Sequence, residues 1–275
     1  MRSILITGCS SGIGLDAAKT LHGEGWQVLA TCRSQSDCDQ LTALGMESFV
    51  LDYSDSDSVK AGARKALELT DGKLEVLFNN GAHGTPGLVE DLPRGALRDI
   101  FEVNLFGQFE LINCLLPAMR KLETSYVINN SSVLGFAGMP YRGAYCATKF
   151  AMEGMTDTLR LELAETSVQV VLIEPGPITS RIRENSVAHF ERWINVDKSA
   201  QAQRYQEQLI PRLYENKEKP DRFELPASAV TNKLLSILNN KNPKPRYYVT
   251  TPTYLSGYAK RLLSSRMFDR FLSLS

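Results

Sequence analysis

Thr7-Gly8-Cys9-Ser10-Ser11-Gly12-Ile13-Gly14 follows the apolar opening Ser3-Ile4-Leu5-Ile6 and leads into a helical pattern at residues 13–24. A strand that turns directly into a helix needs glycine where the backbone bends sharply or approaches a ligand closely. The new helix then aims its unpaired N–H groups and positive dipole end at that point, which suits a phosphate. Taken alone, the run is equally compatible with an ordinary strand–helix turn. The rest of the chain decides between them.

Short apolar runs alternate with helix-length amphipathic stretches. Strands are expected at Ser3–Thr7, Gln27–Thr31, Glu47–Leu51, Glu75–Asn79, Tyr126–Ser131, Val168–Glu174 and Arg246–Val249. Helices are expected near 13–24, 56–70, 93–121, 143–165 and 226–239, with Pro117 kinking or ending the longest. Such alternation implies an α/β fold: a Rossmann-type doubly wound sheet of about seven parallel strands with helices on both faces. The whole of 1–275 reads as one domain. Its cofactor and catalytic core spans about 1–180, an insertion about 181–225, and C-terminal helices with the last strand about 226–275. The insertion, marked by Pro211, Pro220 and Pro226, follows the carboxyl end of a strand, the side where open α/β sheets bind ligands. A substrate lid is expected there, the alternative being a surface excursion.

Lys plus Arg (31) balance Asp plus Glu (31), so nothing resembles the basic footprint of a nucleic-acid binder. No apolar run approaches the roughly 18 residues of a membrane span. The first strand begins almost at Met1, leaving no room for a signal peptide, so a cytoplasmic location is expected. Five scattered cysteines (Cys9, Cys32, Cys38, Cys114, Cys146) read as reduced thiols. His22, His83 and His189 show no ligand spacing, so no metal site is expected and these read as surface or loop histidines.

The second strand ends in Thr31-Cys32-Arg33, with no carboxylate until Asp37. Arginine accommodates a 2′-phosphate where a carboxylate would hold a free ribose hydroxyl, so NADP(H) is expected in preference to NAD(H). Ser10 and Ser11 add hydroxyls to the glycine loop without negative charge. Asp52 sits after the third strand, either against an adenine edge or as a cap of the approaching helix. Tyr145 and Lys149 are four apart in a helical run and share one face. An ammonium beside a phenol favours the phenolate, and about 3–4 kcal/mol would bring tyrosine toward neutral titration. Ser131-Ser132 close a strand thirteen residues earlier, and Val133, Leu134, Phe136, Met139 and Tyr141 between them read as an apolar pocket wall or as core.

With these residues in order, the chain resembles the short-chain dehydrogenase/reductase family in its compact single-domain branch. The resemblance runs through Thr7-Gly8-x-x-x-Gly12-Ile13-Gly14, Asp52, Asn79-Asn80-Gly81-Ala82, Asn104, Ser132, Tyr145-x-x-x-Lys149 and Pro175-Gly176-Pro177-Ile178-Thr179-Ser180. Cys-Ser-Ser-Gly-Ile-Gly, Thr-Cys-Arg and Glu-Pro-Gly-Pro-Ile are most similar to the 17β-hydroxysteroid and retinol dehydrogenases and the bacterial aldehyde reductases. The resemblance implies an oxidoreductase with Tyr145 as general acid, Lys149 on the nicotinamide ribose, Ser132 on the carbonyl and Asn104 in a water-linked proton path. It implies Gly8, Ser11, Gly12, Ile13 and Gly14 around the pyrophosphate, Arg33 on the 2′-phosphate, and Asp52 and Asn80 toward the adenosine. Pro175, Gly176, Ile178 and Ser180 would lie at the nicotinamide end. A lipophilic aldehyde, ketone or alcohol is the implied substrate, and a homodimer or tetramer through 93–121 and 143–165 the implied assembly.

Two departures stand out. The family's Asn-Asn-Ala-Gly reads Asn79-Asn80-Gly81-Ala82, which would strain Ala82 if a positive-φ turn falls there. The usual threonine after Pro-Gly is Ser180. The extended epimerase branch spaces its glycines differently, and divergent enoyl reductases place lysine further from tyrosine. A non-catalytic NADPH sensor is the alternative from another class. The stretch Tyr254–Leu274 sets Leu262, Leu263, Phe268, Phe271 and Leu272 against Lys260, Arg261, Arg266 and Arg270, either a membrane-surface helix or one packed on the substrate mouth or a neighbouring subunit.

Overall fold

Seven strands form a single all-parallel sheet in a computed structural model that describes residues 1–215 and 221–273. In chain order, β1 is Ser3–Thr7, α1 Gly12–Gly23, β2 Gln27–Cys32, α2 Gln35–Ala43, β3 Glu47–Val50, α3 Ser56–Leu69 and β4 Val76–Asn79. Then come α4 Arg94–Phe101, α5 Gly107–Met119, β5 Ser125–Asn130, α6 Gly143–Glu162, β6 Val168–Glu174 and α7 Ile182–Trp193. Short α8 (Ala202–Arg204) and α9 (Ile210–Tyr214) precede α10 Ser228–Leu238, β7 Arg246–Tyr248, α11 Thr251–Leu262 and α12 Ser265–Ser273.

The sheet order is β3-β2-β1-β4-β5-β6-β7. The chain winds outward from β1 in one direction, then returns to β4 and winds the other way. The carboxyl ends of β1 and β4 therefore flank the topological switch point, where a ligand crevice opens. Every residue of β1 is buried, and so is all of β6 but one, because helices cover both faces. Ile4, Ile6, Val28, Phe78 and Ile128 face α1 and α10 on one side. Leu5, Leu29, Leu77, Val127 and Val170 face α3 and α5 on the other.

The expected strands all form, with ends differing by a residue or two. Three features departed from the pattern. α2 was not expected, because its Asp- and Gln-rich run carries little apolar periodicity. The long helix of 93–121 is interrupted at Glu102–Phe106 by a π-helical turn that contains Asn104. Pro117 is accommodated within α5, which ends two residues later. The stretch 181–225 is largely helical, with its own apolar cluster of Leu88, Phe190, Ile194, Tyr205, Leu209 and Leu213; Pro220 lies outside the described residues. The C-terminal stretch is two helices, with Phe268 buried and Leu262 and Met267 exposed; Leu274 lies outside the described residues. Among the described residues, no helix is long and apolar enough to cross a membrane.

Arg246 of β7 ties the sheet edge to α6. Its guanidinium bonds Glu153, Glu174 at 2.6 Å and Asp157 at 2.5 Å. Glu174 is fully buried, and burial together with the Glu153 charge pushes its carboxyl up to about 8. Removing the guanidinium leaves Glu153 without its counter-charge and the buried Glu174 carboxyl without its hydrogen-bond donor. Arg246→Met is expected to lower unfolding free energy by about 3 kcal/mol at neutral pH, measured by urea denaturation.

Candidate active site

The glycine loop meets the β4 terminus at van der Waals limits. Gly8 has φ +70° and Gly12 φ +56°, conformations that favour glycine. A Cβ on Gly8 would stand 2.7 Å from Gly81 Cα, and one on Gly14 2.3 Å from the Gly8 carbonyl oxygen. Thr7 Oγ1 accepts from the N–H groups of Asn80 (2.9 Å) and Gly81 (3.1 Å), locking β1 to β4. The exchanged pair is accommodated: neither Gly81 nor Ala82 has positive φ, so Ala82 carries no strain. The close approach demands glycine at position 8; a Cβ on Gly81 would stand 3.4 Å from Gly8 N and 3.3 Å from the Tyr53 ring.

Ser11 is the N-cap of α1, yet its hydroxyl makes no capping bond. The helix start, Ser10 and Ser11 thus face the crevice with polar groups uncommitted. Ser180 lies against Gly12, its Cβ 3.2 Å from where a Gly12 Cβ would be. A shaped glycine cradle at a helix N-terminus fits a dinucleotide pyrophosphate.

The cleft has a volume of about 1140 Å³. It is lined by Gly8, Ser10, Ser11, Gly12 and Ile13 of the loop, Arg33, Asn80, Ser132, Tyr145, Lys149, and Pro175, Gly176, Ile178 and Ser180. Gly176 allows the start of α11 close: a Cβ there would meet Thr250 Oγ1 at 2.1 Å and Thr253 Oγ1 at 2.7 Å. Arg33 is exposed at the rim and free of any ion pair among the described residues. Asp52 is a different matter. It does not line the cleft; its Oδ1 accepts from Ser54 N (2.9 Å) and Ser54 Oγ (2.8 Å) in a local turn, and the cap of α3 is Asp55, which accepts from Asp57 N. Asn80 lines the crevice but also braces it, donating to Thr7 O at 3.0 Å and accepting from Asn130 Nδ2 at 2.9 Å.

Lys149 is only 1% exposed, its Nζ donating to Asn130 O at 2.7 Å. Burial pulls the ammonium down to about 8, with Glu153 opposing. Nζ lies 5.7 Å from the centre of the Tyr145 ring. The expectation of an acidified phenol is corrected here. Burial pushes Tyr145 up to about 12, the Ser132 hydroxyl and Arg142 pull it back in part, and the Lys149 charge contributes no resolved effect. Desolvation outweighs a cation whose own hydrogen bond is spent on a backbone carbonyl. Tyr145 is therefore a phenol, suited to giving a proton. Ser132, rather than Ser131, faces it; Ser131 Oγ is buried beneath Gly135 beside Glu153.

Asn104 is fully buried. Its Oδ1 accepts from His83 N (3.0 Å), while Nδ2 donates to His83 O (2.9 Å) and Thr148 Oγ1 (3.3 Å). The side chain is spent on positioning, in a π-turn of the kind often found at functional sites. Of the expected pocket wall, Val133, Leu134 and Met139 line the cleft; Phe136 packs on Tyr248, and Tyr141 on Tyr205.

Sequence reasoning missed the supporting hydrogen bonds. Tyr53 Oη donates to Asn79 Oδ1 (2.7 Å) and shares a hydrogen bond with the Thr7 hydroxyl (2.9 Å); Asn79 donates to Asn129 (2.9 Å), and Asn129 to Thr156 (2.9 Å). No spacing rule connects those positions; only the sheet order does.

The model of the family described as short chain dehydrogenase matches residues 2–190. This chain belongs to the short-chain dehydrogenase family. It is 36% identical over 271 residues to the uncharacterized oxidoreductase YbbO of Escherichia coli K12, covering 98% of this chain and 94% of that protein. It is 32% identical over 197 residues to human retinol dehydrogenase 8, covering 68% and 62% of the two chains. A short chain dehydrogenase/reductase from Burkholderia phymatum, solved in complex with NAD, superposes with a TM-score of 0.76 at 25% identity, covering 95% of this chain and 92% of that one. As an oxidoreductase of this family, the short-chain dehydrogenase works with a nicotinamide cofactor.

His83 and His189 correct the view of scattered surface histidines. They stack with ring centres 3.8 Å apart and planes within 7°, and Asp99 Oδ2 lies 3.5 Å from His83 Nε2 and 3.3 Å from His189 Nδ1. The ligating atoms of His83, Asp99 and His189 fall within 4.8 Å of one another. Lone pairs lie in the ring planes, so parallel rings do not converge on a common metal point. Burial, then the neighbouring His189, pulls His83 down to about 4, and His189 is lowered as well. Both rings stay neutral in the fold at pH values where the unfolded chain takes up protons. The folded pKa lies below the unfolded 6.5, so stability is expected to fall as pH drops from about 6.5 to 4. The urea midpoint followed across that window should decline less steeply in His83→Gln than in the unaltered chain.

Proposed function

We propose that this chain is an NADP(H)-dependent oxidoreductase that moves hydride between the nicotinamide and the carbonyl or alcohol carbon of a lipophilic aldehyde, ketone, retinoid or steroid-like compound. The observation that carries the reading is Tyr145, Ser132 and Lys149 facing one cleft beside the glycine cradle. NADP(H), when bound, supplies or accepts the hydride. Gly8, Ser10, Ser11, Gly12, Ile13 and Gly14 would hold or shape the site of its pyrophosphate, Asn80 its adenosine side, and Lys149, Pro175, Gly176, Ile178 and Ser180 its nicotinamide end. The preference for the 2′-phosphate rests on Arg33, a permanently charged planar fork without a carboxylate partner among the described residues.

Reduction is the favoured direction. A phenol held near 12 keeps its proton at neutral pH, and an alkoxide is the stronger base, so Tyr145 gives its proton to the carbonyl oxygen as negative charge develops there. Ser132 hydrogen-bonds the same oxygen and fixes the carbonyl plane. Lys149, with its proton affinity lowered to about 8, is able to return a proton to Tyr145. Asn104 holds the His83 backbone and the turn that fronts the cleft. Val133, Leu134 and Met139 exclude water from the reacting carbon, in keeping with the lipophilic substrate that the name of human retinol dehydrogenase 8 indicates for that relative.

The segment 181–225 serves as the lid, since Ile182, Arg183, Ser186 and Leu213 complete the cleft wall. Exposed Phe106, Phe150, Met155 and Leu161 on the α4–α6 side suit a homodimer or tetramer of a cytoplasmic enzyme. Loss of reduced-nicotinamide absorbance with a panel of aldehydes and ketones tests the reading. Tyr145→Phe is expected to lower kcat by about 10²–10⁴. Arg33→Ala is expected to shift the NADPH-over-NADH preference in kcat/KM down by about tenfold, or 1.4 kcal/mol. A protein that binds NADPH and consumes none with any carbonyl is the sensor alternative.

A further inference from the structure

Besides Arg33 at its rim, the cleft holds Arg142, a cation with no ion-pair partner among the described residues. No acidic residue stands between Glu123 and Glu153, so Arg142 has no local partner in sequence. The backbone delivers it deliberately. Tyr141, immediately before it, adopts φ +63°, a costly conformation for a bulky residue. That conformation is held from several sides. Tyr141 O accepts from Gly87 N at 3.0 Å, its ring packs edge-on against Tyr205 at 5.8 Å, and its hydroxyl donates to Gln208 Oε1 at 2.9 Å. The turn closes with Arg142 N donating to Met139 O (3.1 Å), and α6 begins with Cys146 N donating to Arg142 O (2.8 Å). Arg142 thus lines the cleft one helical turn ahead of Tyr145, half-buried.

The arginines around it are matched and it is not. Arg181 pairs with Glu184 at 2.9 Å, Arg183 with Asp221 at 3.7 Å and Glu215 at 3.9 Å, and Arg212 with Asp221 at 4.0 Å. No hydrogen bond or ion pair joins the Arg142 guanidinium to a described residue. Burial, followed by the like charges of Arg212 and Arg183, lowers its affinity for its proton, and it reaches the Tyr145 phenol electrostatically. Guanidinium does not give up its proton in proteins, so relief comes from an anion, and its planar fork matches a carboxylate in two parallel bonds. Val133, Leu134, Met139 and Leu213 supply apolar surface in the same cleft.

We propose that Arg142 is the substrate-anion residue of this cleft, and that preferred substrates carry a carboxylate on the same apolar body as the reacting carbonyl. This inference rests on the oxidoreductase reading for its kinetics, though not for binding. The test compares 4-carboxybenzaldehyde with its methyl ester, and 4-oxobutanoate with its methyl ester, as substrates of the unaltered chain, Arg142→Gln and Arg142→Lys. The unaltered chain is expected to prefer the acids by at least tenfold in kcat/KM. Arg142→Gln should erase that preference mainly through KM for the acid, and Arg142→Lys, which keeps charge and loses the fork, should fall between. An acid-to-ester ratio near one in the unaltered chain, or one that Arg142→Gln leaves intact, overturns the proposal. Calorimetric titration with benzoate reads binding without turnover: at least tenfold weaker affinity in Arg142→Gln supports it, and equal affinity overturns it. If no carbonyl compound is consumed, the oxidoreductase reading fails by itself, and the benzoate titration still decides the role of Arg142.

Discussion

The buried ammonium of Lys149 sets the terms for everything around it. A cation at 1% exposure survives only with a hydrogen bond and a compensating charge, and here these are the Asn130 carbonyl at 2.7 Å and Glu153 one turn further along α6. Glu153 in turn needs Arg246, and Arg246 also satisfies Glu174 at the end of β6. One desolvated charge thus propagates into a network that joins α6, β6 and β7. It explains why a polar cluster persists behind an otherwise apolar sheet.

The same low-dielectric floor governs the proton chemistry. Burial moves the phenol up and the amine down, so two groups that ordinarily lie close in proton affinity move apart. For the proposed reduction, a tyrosine that keeps its proton beside a lysine held down to about 8 is a better donor pair than a fully ionised phenolate. Proximity alone suggested the reverse shift for Tyr145, because sequence spacing reports which groups are neighbours and says nothing of how much water each has lost.

The glycine cradle and the segment 181–215 lie at different places around the cleft. Loop, strand ends and α6 carry the cradle and the hydroxyls of Ser132 and Tyr145. The segment after β6 brings His189 onto His83 and sets the charges of Arg183 and Arg212 near Arg142. That side of the cleft is assembled from segments far apart in sequence, while the glycine cradle is built from a short, local motif.

Much was legible in the amino-acid order. Period-two and continuous apolar runs located all seven strands, because a strand covered on both faces must be apolar throughout. Glycine spacing located the cradle, since only glycine permits φ near +60° there and the Gly8–Gly81 approach. Four-residue spacing put Tyr145 and Lys149 on one helix face. Tertiary structure alone decided the rest. It turned Asp52 onto Ser54, broke the long helix at Asn104, buried His83 against His189, and left Arg142 unpaired at the cleft. The physical reason is one of range: backbone conformation and amphipathic faces follow from neighbours within a few residues. Burial, and with it proton affinity and the presence or absence of a counter-charge, depends on segments that meet only once the sheet order is set.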